Sequence, residues 1–280
     1  MSNKVVVIVL DALRYDVACS HLGFMQHLIE QKKAARYEVI GELPSLSRPM
    51  YETICTGLPA IEHGILHNTM SQLSKEESIF HLATGQGKTT AAAAYFWVSE
   101  LYNRAPFNPF TDRLQFNQLT PIENGIFYFE DHYPDSHLFT DAHHLLTTYM
   151  PDLLYVHPMN IDNDGHIATA NSALYRNRVL MVDGLLALTI PQWQALGYDI
   201  IVTADHGMTD DGAHGGTTFA DRHVPLFILS EKIAAGIYDE PISQLQMAPL
   251  ICHLLNIRPS NKMQKLAITG LKERDYNENE

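Results

Sequence analysis

The sequence predicts an α/β fold in which a mostly parallel central sheet carries helices on both faces. Apolar runs bounded by loop residues are typical of buried parallel strands, and this chain has them at residues 5–10, 89–96, 153–157, 200–204 and 224–229. Amphipathic stretches of helical length lie at residues 172–188 and 242–255. Such alternation is typical of a sheet covered by helices, whose crossover connections are almost always right-handed.

Length and composition predict one soluble globular domain over residues 1–280. The chain is 46% hydrophobic and 18% charged, as in an ordinary globular enzyme. Its formal net charge of −13 argues against a nucleic-acid polymer as partner, because phosphate backbones are bound by basic surfaces. The three cysteines, Cys19, Cys55 and Cys252, show no metal-binding spacing and are expected to be small buried hydrophobes.

The first apolar run is short for a signal peptide, and it ends in Asp11 rather than in a small-residue cleavage site. No stretch of the chain approaches the roughly 20 apolar residues that cross a membrane. We therefore expect a cytoplasmic protein with no membrane partner.

Two segments depart from the regular pattern. Residues 101–149 are rich in Asn, Pro, Asp, His and aromatic residues and show little periodicity, so a cap or insertion near the functional site is expected there. The acidic, polar residues 273–280 are expected to form a frayed tail.

Two aspartates stand just past predicted strands. Asp11 follows the first apolar run, and Asp205 follows the run at residues 200–204. Ligands of open parallel sheets bind beyond the carboxyl ends of the strands, so the two acids can converge on one site. A lone aspartate at such a place is usually a turn or cap residue. The adjacent His206 and a second Asp–His pair favour a metal-binding interpretation.

Further candidate ligands lie in two glycine-containing segments. Asp162 and His166 are four residues apart, a spacing that puts both on one face of a helix, and Asp164 competes with Asp162. His214 is flanked by glycines, which allow the backbone to approach a ligand closely. His223 is its rival, but its setting is more typical of a turn that leads into a strand.

Ser47 is the candidate nucleophile. A serine hydroxyl attacks slowly unless a base or a metal activates it, and the predicted ligands would supply a metal. Pro44 and Pro49 restrict the backbone on either side of Ser47. Arg48 could meet a phosphoryl oxygen with its fork of donors, although an exposed or ion-paired arginine is the more common outcome.

Together these residues resemble the alkaline phosphatase superfamily and, within it, the type I phosphodiesterase / nucleotide pyrophosphatase family. The resemblance covers about residues 4–260 and rests on several local patterns in the same order. These patterns are Asp11 after the first strand, Ser47 ten residues before Gly57, the segment 59–65 (PAIEHGI), Asn68, the Asp-x-x-Gly-His of Asp162 to His166, the Asp-His-Gly-Met of Asp205 to Met208, His214 before a glycine, and a closing helix near residues 247–257.

The resemblance implies a fold and a role for each residue. The fold would be an alkaline-phosphatase-like three-layer sandwich with a small cap insertion. Asn68 would help to hold the transferring phosphoryl oxygen. Two divalent ions, zinc by preference with manganese or iron as alternatives, would be shared between two ligand sets: Asp11, Ser47, Asp205 and His206 for one ion, and Asp162, His166 and His214 for the other.

The activity implied is hydrolysis of a phosphoric ester through a covalent phosphoseryl enzyme at Ser47, most simply as a phosphodiesterase or nucleotide pyrophosphatase. Many family members have an apolar residue after the nucleophile, whereas this chain has Arg48. An arginine there would favour a phosphomonoesterase or a phosphonate hydrolase of the same superfamily. A catalytically inactive metal-binding module is a remote alternative, because every expected ligand position holds a competent residue.

One aromatic group has two possible roles. Its members are Tyr95, Phe96, Trp97, Tyr102 and Phe107. Such residues ordinarily pack a core or cap, and the alternative is that they line a pocket for the leaving group.

Overall fold

Nine strands form one open sheet in the computed structural model, which describes residues 3–272. In chain order they are β1 (Lys4–Val9), β2 (Ala35–Ile40), β3 (Thr90–Tyr95), β4 (Leu114–Phe116), β5 (Asn124–Tyr128), β6 (Leu153–Val156), β7 (Tyr198–Thr203), β8 (His223–Leu229) and β9 (Gly236–Ser243). Across the sheet the order is β4-β5-β3-β6-β1-β7-β8-β2-β9. The five adjacent strands β5, β3, β6, β1 and β7 are parallel to one another, whereas β4 and β8 are antiparallel to their neighbours.

Helices cover the sheet in two layers, which confirms the predicted three-layer α/β class. Within residues 3–272 the α-helices are α1 (Tyr15–His21), α2 (Gly23–Glu30), α3 (Ser47–Thr56), α4 (Ala60–His63), α5 (Ile79–Thr84), α6 (Phe96–Tyr102), α7 (Pro109–Asp112), α8 (Asp135–Tyr149), α9 (Asn160–Ala168), α10 (Ala173–Ala195), α11 (Phe219–Arg222) and α12 (Met247–Leu255). One layer packs α1, α2, α8 and α9 around α10. The other packs α3, α5, α6 and α12 together.

All five predicted strand segments form strands, namely β1, β3, β6, β7 and β8. β8 departs from the prediction because it pairs antiparallel with both β7 and β2. The sequence did not predict the other four strands, because they contain no continuous apolar run. These strands, β2, β4, β5 and β9, lie towards the edges of the sheet. β2 shows the reason, because its residues alternate between buried and half-buried and therefore include polar side chains. The predicted helix at 242–255 also starts later, since residues 242 and 243 end β9.

The segment 101–149, predicted as a cap or insertion, contributes largely to the sheet and its helices. It contains β4 and β5, which extend one edge of the sheet, and α8, which packs against β3 and β6. Its loop at residues 129–134 lies beyond the carboxyl end of β5. The tail predicted at residues 273–280 lies outside the described residues.

β1 lies at the centre of the core. The side chains of Val5 to Leu10 have no exposed surface, because β6 and β7 flank the strand and helices cover both faces. Burial of each such side chain contributes about 1.5–3 kcal/mol, which holds the carboxyl end of β1 in a fixed position. Cys55 and Cys252 are buried and Cys19 is half-buried, all three as free thiols. Within residues 3–272, none of the helices combines the length and the apolar character needed to cross a membrane.

α3 carries a carboxylate inside the core. Glu52 has no exposed surface, and it accepts hydrogen bonds from the hydroxyls of Ser74 and, at 2.7 Å, Tyr102. Burial raises its pKa from 4.5 to about 7, against the lowering effect of the two hydroxyls. The folded chain therefore retains a proton that the unfolded chain releases between these pH values, so Glu52 costs stability as the pH rises.

We expect the free energy of unfolding of Glu52→Gln, relative to that of the wild type, to rise by up to about 3 kcal/mol from pH 5 to pH 8. The reason is that the substitution removes a buried charge that forms only at the higher pH. Urea unfolding of both chains at the two pH values, with chelator present, measures this difference. Glu62→Gln, at an exposed position of α4, is the matched control and should show no such change. An equal pH dependence of wild type and Glu52→Gln would contradict the assignment.

Candidate active site

Three neighbouring strands end at one edge of the sheet and bring three polar side chains together. β6, β1 and β7 lie side by side and parallel. His157 follows β6, Asp11 follows β1 and Asp205 follows β7, and all three are fully buried. One ligand atom of each lies within 4.8 Å of those of the other two. The strand ends thus bring Asp11 and Asp205 to the same place, as their sequence positions predict.

Asp11 is held through one of its two carboxylate oxygens. Oδ2 accepts a hydrogen bond from the Tyr51 hydroxyl at 2.6 Å and lies 3.2 Å from His157 Nε2. Oδ1 lies 3.3 Å from His206 Nε2. Burial alone would raise the pKa of Asp11, but the neighbouring His157 ring and the Tyr51 hydroxyl lower the pKa to about 2. Asp11 is therefore an ionised carboxylate in a fixed orientation.

His206 presents a lone pair to the same centre. Its Nδ1 lies 2.8 Å from the carbonyl oxygen of Gly207, so Nδ1 carries the hydrogen and Nε2 is the free acceptor. This Nε2 lies 3.3 Å from Asp205 Oδ2. Burial lowers the pKa of His206 to about 3, which keeps the ring neutral, whereas burial and the charge of Asp11 raise the pKa of Asp205 well above its usual value.

Ser47 is the first residue of α3 and is only 4% exposed. Its Oγ lies 3.0 Å from His206 Nε2. The N-terminus of α3, where unpaired backbone N–H groups concentrate positive partial charge, starts at this residue. The serine hydroxyl therefore stands at a helix N-terminus, in contact with one of the candidate metal ligands.

A second ligand group joins α9 to the loop after β7. One ligand atom each of Asp162, His166 and His214 lies within 4.8 Å of the others, with 3.4 Å between His166 Nε2 and Asp162 Oδ1. Both histidines bind backbone carbonyls through Nδ1, His166 at Gly212 (2.9 Å) and His214 at Ser45 (3.0 Å). Their Nε2 atoms therefore face each other as lone pairs, only 3.2 Å apart.

These contacts fit a pair of divalent cations. Two lone pairs at 3.2 Å repel each other unless a cation lies between them, and a buried carboxylate needs a partner. Three carboxylate oxygens at this centre are buried without a hydrogen bond: Asp11 Oδ1, Asp162 Oδ1 and Asp205 Oδ2. Burial and the charge of Asp11 also raise the pKa of Asp162 well above its usual value. Mixed carboxylate and imidazole donors suit zinc, and manganese or iron are compatible with them.

The rival ligands have other partners. Asp164 Oδ2 accepts a hydrogen bond from Arg178 Nε at 2.7 Å, and His223 bonds to Glu38 on the neighbouring strand β2. Neither belongs to a group of three metal-binding side chains within residues 3–272. The geometry favours Asp162 and His214 over them.

Arg48 is buried and its guanidinium is already engaged. Nη2 lies 2.7 Å from Glu100 Oε2, Nη1 donates to the carbonyl oxygen of Met70 at 2.7 Å, and the group lies 4.7 Å over the ring of Trp97. Its role towards a phosphoryl oxygen stays a prediction, because these contacts engage Nη1, Nη2 and the charge, whereas Nε is buried without a hydrogen-bond partner. The backbone N–H of Arg48 donates to Asn68 Oδ1 at 3.0 Å, which places Asn68 beside Ser47.

Two contributors escape the sequence analysis. Tyr51, on α3, binds Asp11, and its position in the chain carries no signal for this contact. His157 does carry one, because it ends the apolar run at residues 153–157 in the same way that Asp11 ends the first run. Its ring nitrogens have no hydrogen-bond partner although the side chain is fully buried. The strand-end argument, applied to all five strands, would have found it.

Comparison with known proteins points to one family. The sequence pattern described as type I phosphodiesterase / nucleotide pyrophosphatase matches residues 5–224. Among solved structures, murine ectonucleotide pyrophosphatase / phosphodiesterase 5 superposes with a TM-score of 0.73 at 15% identity, over 92% of this chain and 96% of that one. Alkaline phosphatase PafA superposes with a TM-score of 0.73 at 12% identity, over 96% and 99% of the two chains. These structures confirm the alkaline-phosphatase-like fold.

Curated relatives carry a more specific name. GPI ethanolamine phosphate transferase 2 of Debaryomyces hansenii is 23% identical over 93% of this chain and 32% of its own length. The catalytic subunit of the enzyme of the same name from Homo sapiens is 23% identical over 81% of this chain and 23% of its own length. The chain thus spans about a quarter to a third of the length of these relatives.

These relatives correct one expectation. The predicted cytoplasmic location is wrong, because curated relatives of this chain are by name GPI ethanolamine phosphate transferases. The expectation of no membrane partner loses its support for the same reason. The shortness of the first apolar run and the lack of a run long enough to cross a membrane describe only this stretch of sequence. They do not determine the location of the protein in the cell.

Proposed function

This chain belongs to the type I phosphodiesterase / nucleotide pyrophosphatase family, and from that premise we propose that it cleaves a phosphodiester through nucleophilic attack by Ser47 between two divalent metal ions. The observation that supports this most directly is the position of Ser47 Oγ, 3.0 Å from His206 Nε2 and beside two groups of carboxylate and imidazole ligands. The proposed ligand sets are Asp11, Ser47, Asp205 and His206 for one ion, and Asp162, His166 and His214 for the other.

The protein's own groups prepare the reaction. When bound, the ions would lower the pKa of the hydroxyl groups that they hold and stabilise charge on the phosphoryl oxygens. The Tyr51 hydroxyl fixes the orientation of Asp11, and the carbonyls of Gly212 and Ser45 fix the tautomers of His166 and His214. The site is thereby arranged before substrate binds.

Ser47 forms and breaks the covalent bonds. Its oxygen attacks phosphorus and the ester bond to the leaving group breaks, which produces a phosphoseryl enzyme and an alcohol. The dipole of α3, whose N-terminus lies at Ser47, favours negative charge on the phosphoryl group. Asn68 accepts from the Arg48 N–H through its oxygen, which leaves its amide NH2 group as a donor to a phosphoryl oxygen. An acceptor hydroxyl then attacks phosphorus and releases Ser47.

The identity of the acceptor separates two candidate functions. Water as acceptor makes the protein a hydrolase, and an alcohol makes it a transferase. The names of the curated relatives favour transfer of a phosphoethanolamine group. Both functions start from a phosphodiester, which the contacts of Arg48 support over a monoester: Glu100 neutralises the guanidinium, so it adds no net positive charge for a doubly charged phosphate.

The proposal predicts a preference for diesters. Enzyme stripped with chelator and reloaded with zinc or manganese should cleave bis-p-nitrophenyl phosphate at least about tenfold faster, in kcat/KM, than p-nitrophenyl phosphate. The p-nitrophenyl ester of thymidine monophosphate serves as the nucleotide arm. Addition of glycerol as a trial acceptor distinguishes transfer from hydrolysis, because transfer yields a glycerol phosphodiester. Faster cleavage of the monoester would overturn the diester assignment and return Arg48 to the substrate site.

A further inference from the structure

We infer that Asp131 binds a positively charged amino group of the phosphodiester substrate, and so selects aminoalkyl phosphodiesters over anionic ones such as nucleotides. This inference rests on the proposed function, whose site it extends along the sheet edge. Asp131 lies in the loop after β5, outside the candidate ligand groups, and no role in the proposed chemistry has been assigned to it.

The fold places Asp131 next to the proposed metal ligands. Its carboxylate accepts a hydrogen bond from the Tyr95 hydroxyl at 2.7 Å, and Tyr95 ends β3, the neighbour of β6. The side chain of Asn160, the first residue of α9, donates to the carbonyl oxygens of Asp131 (3.1 Å) and Tyr133 (2.9 Å). The helix that carries Asp162 and His166 therefore also holds the loop that carries Asp131.

The distance between neighbouring strands agrees with this placement. Neighbouring strands lie about 4.8 Å apart, so the end of β3 lies about 10 Å along the sheet edge from the end of β1, which precedes Asp11. A substrate whose phosphoryl group meets Ser47 would thus extend a short substituent towards Asp131.

Asp131 has no ion-pair partner among the residues that the structure describes. The side chain is exposed, and within residues 3–272 it takes part in no ion pair with a lysine, arginine or histidine. Glu130, also exposed, adds a second negative charge to the loop. An anionic substituent would be repelled here, whereas an ammonium group would gain a charge-assisted hydrogen bond.

Aromatic rings pack around Tyr95, whose hydroxyl binds Asp131. The ring of Tyr95 lies 4.6 Å from that of Phe96, 5.1 Å from Trp97 and 5.3 Å from Tyr128, measured between centroids. The rings of Trp97 and Tyr133 already attract the guanidinium groups of Arg48 and Arg113, at 4.7 and 6.0 Å. A few polar groups set in an apolar wall are the usual means of orienting a small substituent, and ring faces favour a cation. The name of the curated relatives, which refers to ethanolamine phosphate, agrees with an amino group as that substituent.

Two isosteric esters test the inference. Metal-loaded wild type should cleave p-nitrophenyl 2-aminoethyl phosphate at least about tenfold faster, in kcat/KM, than p-nitrophenyl propyl phosphate, which replaces the ammonium by a methyl group. Asp131→Asn should bring this ratio close to one and leave the propyl ester within about threefold of wild type. Glu130→Gln, at the neighbouring exposed acid, should keep most of the preference, and Asp131→Glu should restore part of it.

A binding measurement separates this inference from the proposed function. Calorimetric titration with (2-aminoethyl)methylphosphinate and methylpropylphosphinate, which are monoanions without an ester bond, reports the preference without turnover. A tenfold preference that Asp131→Asn abolishes supports the inference even if no ester is cleaved, in which case only the proposed function fails. Equal binding and equal cleavage of the amino and propyl ligands by wild type would overturn the inference and leave the phosphodiesterase proposal intact. An equal loss on both ligands in Asp131→Asn would also overturn it, since that result shows a structural role.

Discussion

Replacement of Ser47 by alanine should lower turnover of the preferred phosphodiester by at least about a thousandfold, equivalent to about 4 kcal/mol of activation free energy. The reason is that Ser47 Oγ is the proposed attacking atom and lies 3.0 Å from His206 Nε2 at the start of α3. All of the remaining proposed ligands are histidines and aspartates, which the substitution leaves in place. Metal content, measured by mass spectrometry of the dialysed protein, should therefore stay close to that of the wild type.

Ser45→Ala is the matched control for this variant. Ser45 lies two residues before Ser47, in the loop that precedes α3, is also buried, and contacts His214 through its backbone carbonyl, which the substitution keeps. Its hydroxyl donates only to the carbonyl oxygens of Glu42 and Gly216, at 3.4 and 3.2 Å. We expect activity within a few-fold of wild type. Survival of activity in Ser47→Ala, with metal retained, would show that another atom attacks phosphorus.

Asp205→Asn should lose one of two bound metal equivalents and at least about a hundredfold in activity. Asp205 Oδ1 accepts the backbone N–H of Ala12 at 3.2 Å, and an asparagine oxygen can keep that bond and with it the fold. The Oδ2 position, buried without a hydrogen bond and 3.3 Å from His206 Nε2, would become an amide NH2 group. An uncharged donor there cannot bind a cation, so the loss should fall on metal affinity.

Metal content and activity, measured on the same preparations, check this expectation. Asp210→Asn is the matched control, because Asp210 follows in the same loop and pairs with Arg14 at an exposed position. It should keep both metal equivalents and its activity. Circular dichroism establishes whether Asp205→Asn is folded, and a folded variant that retains the full metal complement would contradict the ligand role of Asp205.

Strands that are buried inside the sheet could be predicted from the sequence, whereas exposed edge strands could not. β1 and β7 lie inside the sheet and are apolar on both faces, so their sequences alone mark them as strands. β9 lies at the edge and is largely exposed or half-buried, and it contains Asp239 and Glu240. The edge position relaxes the need for apolar residues, and the sequence signal weakens with it.

In the candidate site, too, some residues could be predicted from local sequence patterns and some contacts could not. Asp11, Asp162, His166, Asp205, His206 and His214 come together in the structure from positions that local patterns single out. The contacts of Arg48 with Glu100 and of Tyr51 with Asp11 join residues that are 52 and 40 positions apart. No periodicity or turn signal encodes such pairs, because they depend on how α3 packs against the sheet and against α6.

The sequence by itself determined the fold class, the family and the chemical types of the candidate ligands, because apolar runs and polar residues at strand ends are properties of neighbouring residues. Only the tertiary structure decided that Arg48 is neutralised within the core, that His157 supports Asp11, and that Asp131 stands near the proposed metal ligands. These depend on contacts between distant segments, where burial and charge act through space rather than along the chain.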